Sequence, residues 1–310
     1  MKFLKLIRFN NLLMIAFMQL IFRYGFFKLQ YIPVALALAD WQYILLVLST
    51  LCIAAGGYVI NNIHDQATDI HNKPEDVIVG KSISEANAYN IYVGLNIIGV
   101  GIGFYLANVI ERPNFASVFI IIAATLYMYA TSFKQSLLIG NVIVALLTTT
   151  SVIIVGIFDL LPATSDDNRS LMTLLFSILL DYAIFTFLIN FIREIVKDLQ
   201  DVDGDYNQGM NTLPIAIGID RTKKIVFGFT FIPLLTLLWY INNYIFTNNL
   251  LITTIYGLIF IVCPLIYFMA KILSAKTPQE FKHLSLVLKA LLFFGILSVL
   301  FISIEMKQHV

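Results

Sequence analysis

Two acidic clusters are the parts of this sequence best suited to chemistry. Their oxygen-bearing side chains recur at intervals of three or four residues: Asn61, Asn62, Asp65 and Asp69 in the first cluster, and Asp198, Asp201 and Asp205 in the second. Residues three and four apart are neighbours on a helix, so each cluster predicts a row of oxygens on one helical face.

Carboxylates stacked in this way repel each other, and the repulsion grows at a membrane boundary where less water screens it. A cation between the two rows would relieve it. Ligands that are all oxygens favour a hard ion, and Mg²⁺ usually combines one or two carboxylates with water and substrate phosphates. We therefore interpret both clusters as ligands for Mg²⁺ ions that bridge a diphosphate.

Basic residues near the two clusters would complete such a site. Those predicted to bind the diphosphate are Lys73, Lys134, Arg193 and Lys197. Their charge would stabilise the diphosphate as it leaves. The residues predicted to act directly in catalysis are Asp65, Asp69, Asp198, Asp201 and Lys134.

The composition predicts that these clusters belong to a membrane protein. Of 310 residues, 59% are hydrophobic and 13% are charged, against about 25% charged in soluble domains. The mean hydropathy is +0.85. The charges nearly balance, and no basic patch interleaved with aromatic residues suggests nucleic acid as a partner.

Nine apolar runs are long enough to cross a bilayer, which takes about 20 residues. They lie near 10–28, 38–60, 86–109, 115–133, 138–161, 171–192, 223–246, 249–270 and 284–304. Of the 20 Lys and Arg residues, 14 fall in segments on the side of the N-terminus and five, Arg23 among them, on the other. The positive-inside rule then predicts a cytoplasmic N-terminus. Two long polar loops, 61–85 and 193–222, carry the acidic clusters on that same side.

The motifs resemble those of the UbiA superfamily of intramembrane prenyltransferases. Asn61, Asp65 and Asp69 match the family pattern N-D-x-x-D-x-x-x-D, while Asn62 stands where the family has its first Asp. The stretch from Arg193 to Asp205 resembles the second acidic motif. Its R-E-x-x-K-D-x-x-D-x-x-G-D form, with the later T-L-P at 212–214, is most similar to the digeranylgeranylglyceryl phosphate synthase branch.

The resemblance implies an all-α, polytopic bundle of nine transmembrane helices around a central cavity, formed by one domain over residues 1–310. It implies Mg²⁺ at the cytoplasmic mouth of this bundle. It also implies transfer of a prenyl group from a polyprenyl diphosphate to a lipid-soluble acceptor, here a prenylglyceryl phosphate hydroxyl. Tyr58, Tyr127 and Tyr129 are candidates to stabilise an allylic cation by cation–π attraction.

Two alternatives remain open at this point. The acceptor could instead be an aromatic quinone precursor or a porphyrin, which the motifs do not distinguish. The chain could also be an ion-coupled secondary transporter. Transporters place acidic residues near the bilayer midplane in broken helices, whereas these acids lie in loops and at helix ends. A diphosphate-dependent reaction in detergent, where no gradient exists, would separate an enzyme from a transporter.

Overall fold

The computed structural model describes residues 2–66, 70 and 77–308. Within them, nine helices are long and apolar enough to cross a membrane. We number them α1 (Phe9–Leu29), α2 (Asp40–His64), α3 (Glu85–Val109), α4 (Pro113–Thr131), α5 (Ile139–Ala163), α6 (Arg169–Asn207), α7 (Ile219–Phe246), α8 (Leu251–Ile272) and α9 (Pro278–Lys307). The predictions of an all-α, polytopic fold and of nine spans are confirmed.

The outer surface of the bundle is suited to lipid. Large apolar side chains face outward from several helices, among them Ile97 at 67% exposure, Ile121 at 62% and Leu235 at 61%. In water such a surface would drive association, but hydrocarbon solvates it. The chain is therefore an integral, multi-pass membrane protein. Its orientation in the bilayer stays a prediction.

The predicted polar loop 193–222 is wrong for its first half, because α6 continues to Asn207. The apolar run ends at Ile192, but Ile195, Val196 and Leu199 remain buried and keep the helix packed. Gly209 ends it with φ +67. There the amide of Gly209 donates to Tyr206 O and that of Met210 to Asp205 O, both at 3.0 Å, which is a Schellman motif.

Small residues let α2, α3 and α4 approach closely. A Cβ on Gly99 would lie 2.6 Å from a side-chain carbon of Ile53, and one on Gly103 would lie 2.3 Å from the ring of Phe119. Ser49 Oγ donates to Gly99 O at 2.6 Å across the α2–α3 contact. These contacts are typical of membrane helices, which pack through small residues and short polar bonds.

The bundle has two chemically different ends. At the first end α1 begins, α2 ends and α5 begins; we call this end the mouth. At the opposite end Arg23 of α1 is buried and forms an ion pair with Asp159 of α5. Arg23 also donates to Leu38 O at 2.5 Å. The sequence count assigned Arg23 to the side opposite the N-terminus; at this end of the bundle the residue is buried and joins three segments inside the protein.

Candidate active site

Asp65 lies directly after α2 at the mouth and is buried. Asn61, one turn earlier, donates from Nδ2 to Asp65 Oδ2 at 2.5 Å. Lys134, from the connection between α4 and α5, forms an ion pair with the same oxygen. Two donors on one carboxylate oxygen fix the orientation of the Asp65 side chain.

The side-chain amide oxygen of Asn61 is available to a ligand. Asn61 Oδ1 is buried and has no hydrogen-bond partner within the described part of the chain. Buried polar atoms nearly always have a partner, so each exception calls for a physical reason. Asn62 differs: its Nδ2 donates to Tyr58 O at 2.7 Å and to Leu6 O at 3.4 Å. Its amide nitrogen therefore bonds to backbone, and Asn62 does not line the cavity described below.

The second acidic row occupies the end of α6. Asp198 accepts a hydrogen bond from Nδ2 of Asn141, in the first turn of α5, at 2.8 Å. Glu194, one turn earlier, is buried and bonds Lys197 Nζ at 2.5 Å. Arg193 Nη1 lies 3.6 Å from the same Glu194 oxygen. Buried carboxylates are stable only with such partners.

Asp201 and Asp205 continue this row beyond Asp198. Asp205 is buried, and Asp201 Oδ1 accepts a hydrogen bond from Gln200 Nε2 at 3.1 Å. The remaining predicted residues, Asp69 and Lys73, lie outside the described residues.

Lys134, the partner of Asp65, lies close to Gly140, which precedes Asn141, the partner of Asp198. A Cβ on Gly140 would lie 3.3 Å from Lys134 Cα and 3.4 Å from the ring of Tyr129 on α4, so both rows reach the same region of the mouth. Among the residues that the structure describes, no group of three or more His, Cys, Asp or Glu side chains is close enough together to hold a metal ion. Metal binding here would therefore need fewer carboxylates and other oxygen donors.

A cavity of about 230 Å³ opens beneath the two rows. Asn61, Arg193, Glu194 and Lys197 line its polar part, and Asp65 and Asp198 lie one helical turn further toward the mouth. Its apolar wall includes Ile53, Phe119, Ile122, Leu126, Leu147 and Ile154. Along α2 it extends from Asn61 to Thr50, a distance of roughly 16 Å at 1.5 Å per residue.

The three candidate tyrosines lie in different places. Tyr58 and Tyr129 line the cavity. Tyr127 instead is 46% exposed on the outer surface, and its ring stacks on Tyr92 at 6.4 Å between centroids. Of the three, only Tyr58 and Tyr129 are placed where an aromatic ring would contact a molecule in the cavity.

Sequence reasoning missed two features of the site. Glu194 begins the α6 row, four residues before Asp198, and this spacing was visible in the sequence. Lys289 of α9 also lines the cavity and donates to Asn11 Oδ1 at 2.6 Å. A lysine inside an apolar helix was the available signal, because ionisable residues within membrane helices usually serve function.

Comparison with known proteins identifies the family. The model of the UbiA prenyltransferase family matches residues 30–293. Curated relatives include digeranylgeranylglyceryl phosphate synthases. That of Korarchaeum cryptofilum is 29% identical over 84% of this chain and 85% of its own length. That of Methanobrevibacter smithii is 30% identical over 72% and 75%, and that of Methanopyrus kandleri is 35% identical over 54% of each.

Solved structures share the fold. A structure of digeranylgeranylglyceryl phosphate synthase covers 96% of this chain and 98% of its own, with 22% identity and a TM-score of 0.62. A UbiA homologue from Archaeoglobus fulgidus, bound to DMAPP and Mg²⁺, covers 96% and 99%, with 14% identity and a TM-score of 0.61. The family consists of enzymes, which sets aside the transporter alternative. The chain belongs to the UbiA prenyltransferase family and is a membrane prenyltransferase.

Proposed function

We propose that this single-domain enzyme transfers a prenyl group from a polyprenyl diphosphate to the hydroxyl of a prenylglyceryl phosphate, with Mg²⁺ at the mouth. The carrying observation is that two acidic rows and three cations, Lys134, Arg193 and Lys197, lie at or next to one cavity. The charge bias of the sequence favours a cytoplasmic mouth.

The residues at the mouth fit Mg²⁺. Asn61 Oδ1 is a buried oxygen without a partner in the described residues, one turn from the Asp65 carboxylate. Mg²⁺ needs only one or two carboxylates when substrate phosphates supply further oxygens. The residues that would hold Mg²⁺ ions, with no more than two carboxylates to each ion, are Asn61 and Asp65 in the first row and Asp198, Asp201 and Asp205 in the second. Asp69, which we propose as a further ligand, lies outside the described residues. Bound there, Mg²⁺ would neutralise charge on the diphosphate.

The cations at the mouth would hold the diphosphate directly. Lys134 and Lys197 already lie against carboxylates, at Asp65 and Glu194 respectively. Lys197 lines the cavity, and Lys134 is held at Asp65, one turn further toward the mouth. As the diphosphate departs it gains negative charge, and positioned cations stabilise that charge without having to reorganise.

The cavity would hold the prenyl chain away from water. Its apolar wall suits a hydrocarbon, and the rings of Tyr58 and Tyr129 would stabilise positive charge developing on the allylic carbon. In the transfer, the bond from this carbon to the diphosphate oxygen breaks and the diphosphate leaves with the electron pair. The acceptor hydroxyl oxygen then bonds to the same carbon and loses its proton.

The choice of acceptor is testable with purified enzyme. We expect label from a radioactive polyprenyl diphosphate to enter a prenylglyceryl phosphate in detergent, without a membrane gradient. An aromatic quinone precursor and a porphyrin serve as competing acceptors. Transfer to one of these and not to the prenylglyceryl phosphate would contradict the proposed acceptor while leaving the family assignment in place.

Removal of divalent cations should stop the reaction. With EDTA, product formation should fall to background, because the two acidic rows would repel the unshielded diphosphate. Added Mg²⁺ in excess of the chelator should restore it. The measurement is initial rate against free Mg²⁺. A rate that is unchanged in EDTA would exclude the proposed metal site.

A further inference from the structure

A second cationic group lies on the wall of the cavity formed by α1, α6 and α9. It consists of Arg8 directly before α1, Arg193 on α6 and Lys289 on α9, and all three side chains line the cavity. Lys289 has Arg193 and Arg8 as its charged neighbours. This wall therefore concentrates positive charge within a bundle whose other lining residues are mostly apolar.

The protein sets one carboxylate, Glu194, against this positive charge, and Lys197 shares it. Among the described residues, no carboxylate forms an ion pair with Lys289 or Arg8. Lys289 donates to the neutral amide oxygen of Asn11, and the Arg8 guanidinium lies over the Tyr58 ring, 5.3 Å from its centroid. Arg193 shares Glu194 with Lys197 and donates from Nε to Ser285 O at 3.3 Å. Like charges held together at a membrane boundary are costly unless an anion joins them.

The backbone conformation of Arg8 is a further sign of a ligand site. Arg8 has φ 49 and ψ 54, the left-handed region that few residues other than glycine adopt. Such strain is retained where the surrounding structure fixes it, commonly at a ligand site. The strained residue, Arg8, lies directly before α1, and its side chain lines the cavity.

We propose that Lys289, positioned by Asn11, binds the phosphate group of the acceptor, with Arg8 beside it. This inference rests on the proposed function and adds a residue that selects the acceptor. The donor diphosphate belongs with the two acidic rows and with Lys134, Arg193 and Lys197. Lys289 on α9 and Arg8 directly before α1 thus form a separate anion subsite on the same cavity, and a phosphate held there would leave the acceptor hydroxyl directed at the prenyl carbon. A phosphomonoester suits it, since it carries up to two negative charges.

The test uses Lys289→Met with Lys282→Met as a matched control. Lys282 is an exposed lysine on the same helix and does not line the cavity. We expect Lys289→Met to raise KM for a prenylglyceryl phosphate by about 10-fold to 100-fold, because it loses a charge-assisted contact. KM for the polyprenyl diphosphate should not change. Lys289→Arg should recover part of the loss, and Lys282→Met should match the wild type.

A second substrate separates binding from folding. The same prenylglycerol without its phosphate should be a poor acceptor for the wild type, and Lys289→Met should not raise the KM for this acceptor further. The ratio of the two acceptor KM values should therefore approach one in this variant. An unchanged acceptor KM, or an equal rise in KM for the donor, would overturn the inference and leave the proposed function standing. A wild-type enzyme that uses no prenylglyceryl phosphate would instead refute the proposed function. If Lys289→Met does not fold, Lys289→Gln serves for the same comparison.

Discussion

Replacing Asp65 or Asp198 by asparagine should reduce prenyl transfer by at least about 10²-fold to 10³-fold, the scale for losing one group that stabilises transition-state charge. Each substitution keeps the size of the side chain and removes its negative charge. Asp65→Asn would leave a neutral amide oxygen beside Asn61 where a carboxylate would bind the cation, and Asp198→Asn would do the same on α6. The measurement is product formed from a radioactive polyprenyl diphosphate at saturating Mg²⁺.

Asp203→Asn provides the matched control for this experiment. Asp203 is on the same helix between Asp201 and Asp205, but it is exposed and lines a separate surface pocket with Pro214 and Arg221. Its activity should equal that of the wild type. All variants should elute as folded protein from a sizing column in detergent. Normal turnover by Asp65→Asn or Asp198→Asn would remove that residue from the site.

The spans were predictable because they depend on local composition. A bilayer accepts only long apolar runs, and each of these became a helix. The error at α6 has a local cause as well. Charged residues after Ile192 suggested a loop, yet helix formation continues wherever one face stays packed and no terminator intervenes. Gly209, which supplies the left-handed terminus, was the better signal for the end of α6.

Parts of the site were predictable for the same reason. The spacing of Asp198, Asp201 and Asp205 places them on one helical face, and α6 indeed remains helical through all three. Contacts between distant segments carry no such local signal. Lys289 and Asn11 are 278 residues apart in the chain. Only the packing of α9 against α1 reveals that this lysine has its partner beside the cavity.

The far end of the bundle supplies the second large prediction. Arg23 and Asp159 are 136 residues apart, are almost fully buried, and form an ion pair. Asp159 also accepts a hydrogen bond from the amide of Leu38 at 3.1 Å. Asp159→Ala should therefore lower the free energy of unfolding by about 3–5 kcal/mol, because it removes the buried partner of the Arg23 guanidinium and leaves only Asp40, which is largely exposed, at 3.1 Å.

Lys28→Met is the control for this effect. Lys28 bonds Asp40 at 2.5 Å, but its side chain is 37% exposed and that of Asp40 is 60% exposed. Exposed ion pairs contribute at most about 1 kcal/mol, so this variant should unfold near the wild-type temperature. Thermal unfolding in detergent measures all variants on one scale. A Lys28→Met protein as unstable as Asp159→Ala would mean that burial does not set the difference.

The double variant Arg23→Met with Asp159→Leu tests the cause. If the cost of Asp159→Ala comes from an unpaired buried charge, removing both charges should recover most of the lost stability, as apolar replacements of buried ion pairs often do. The recovery should be incomplete, because Arg23 also donates to Leu38 O and to Asp40 Oδ1, and it lies over the Tyr43 ring at 4.5 Å. A double variant no more stable than Asp159→Ala would show that these other contacts, and not the ion pair, stabilise this end of the bundle.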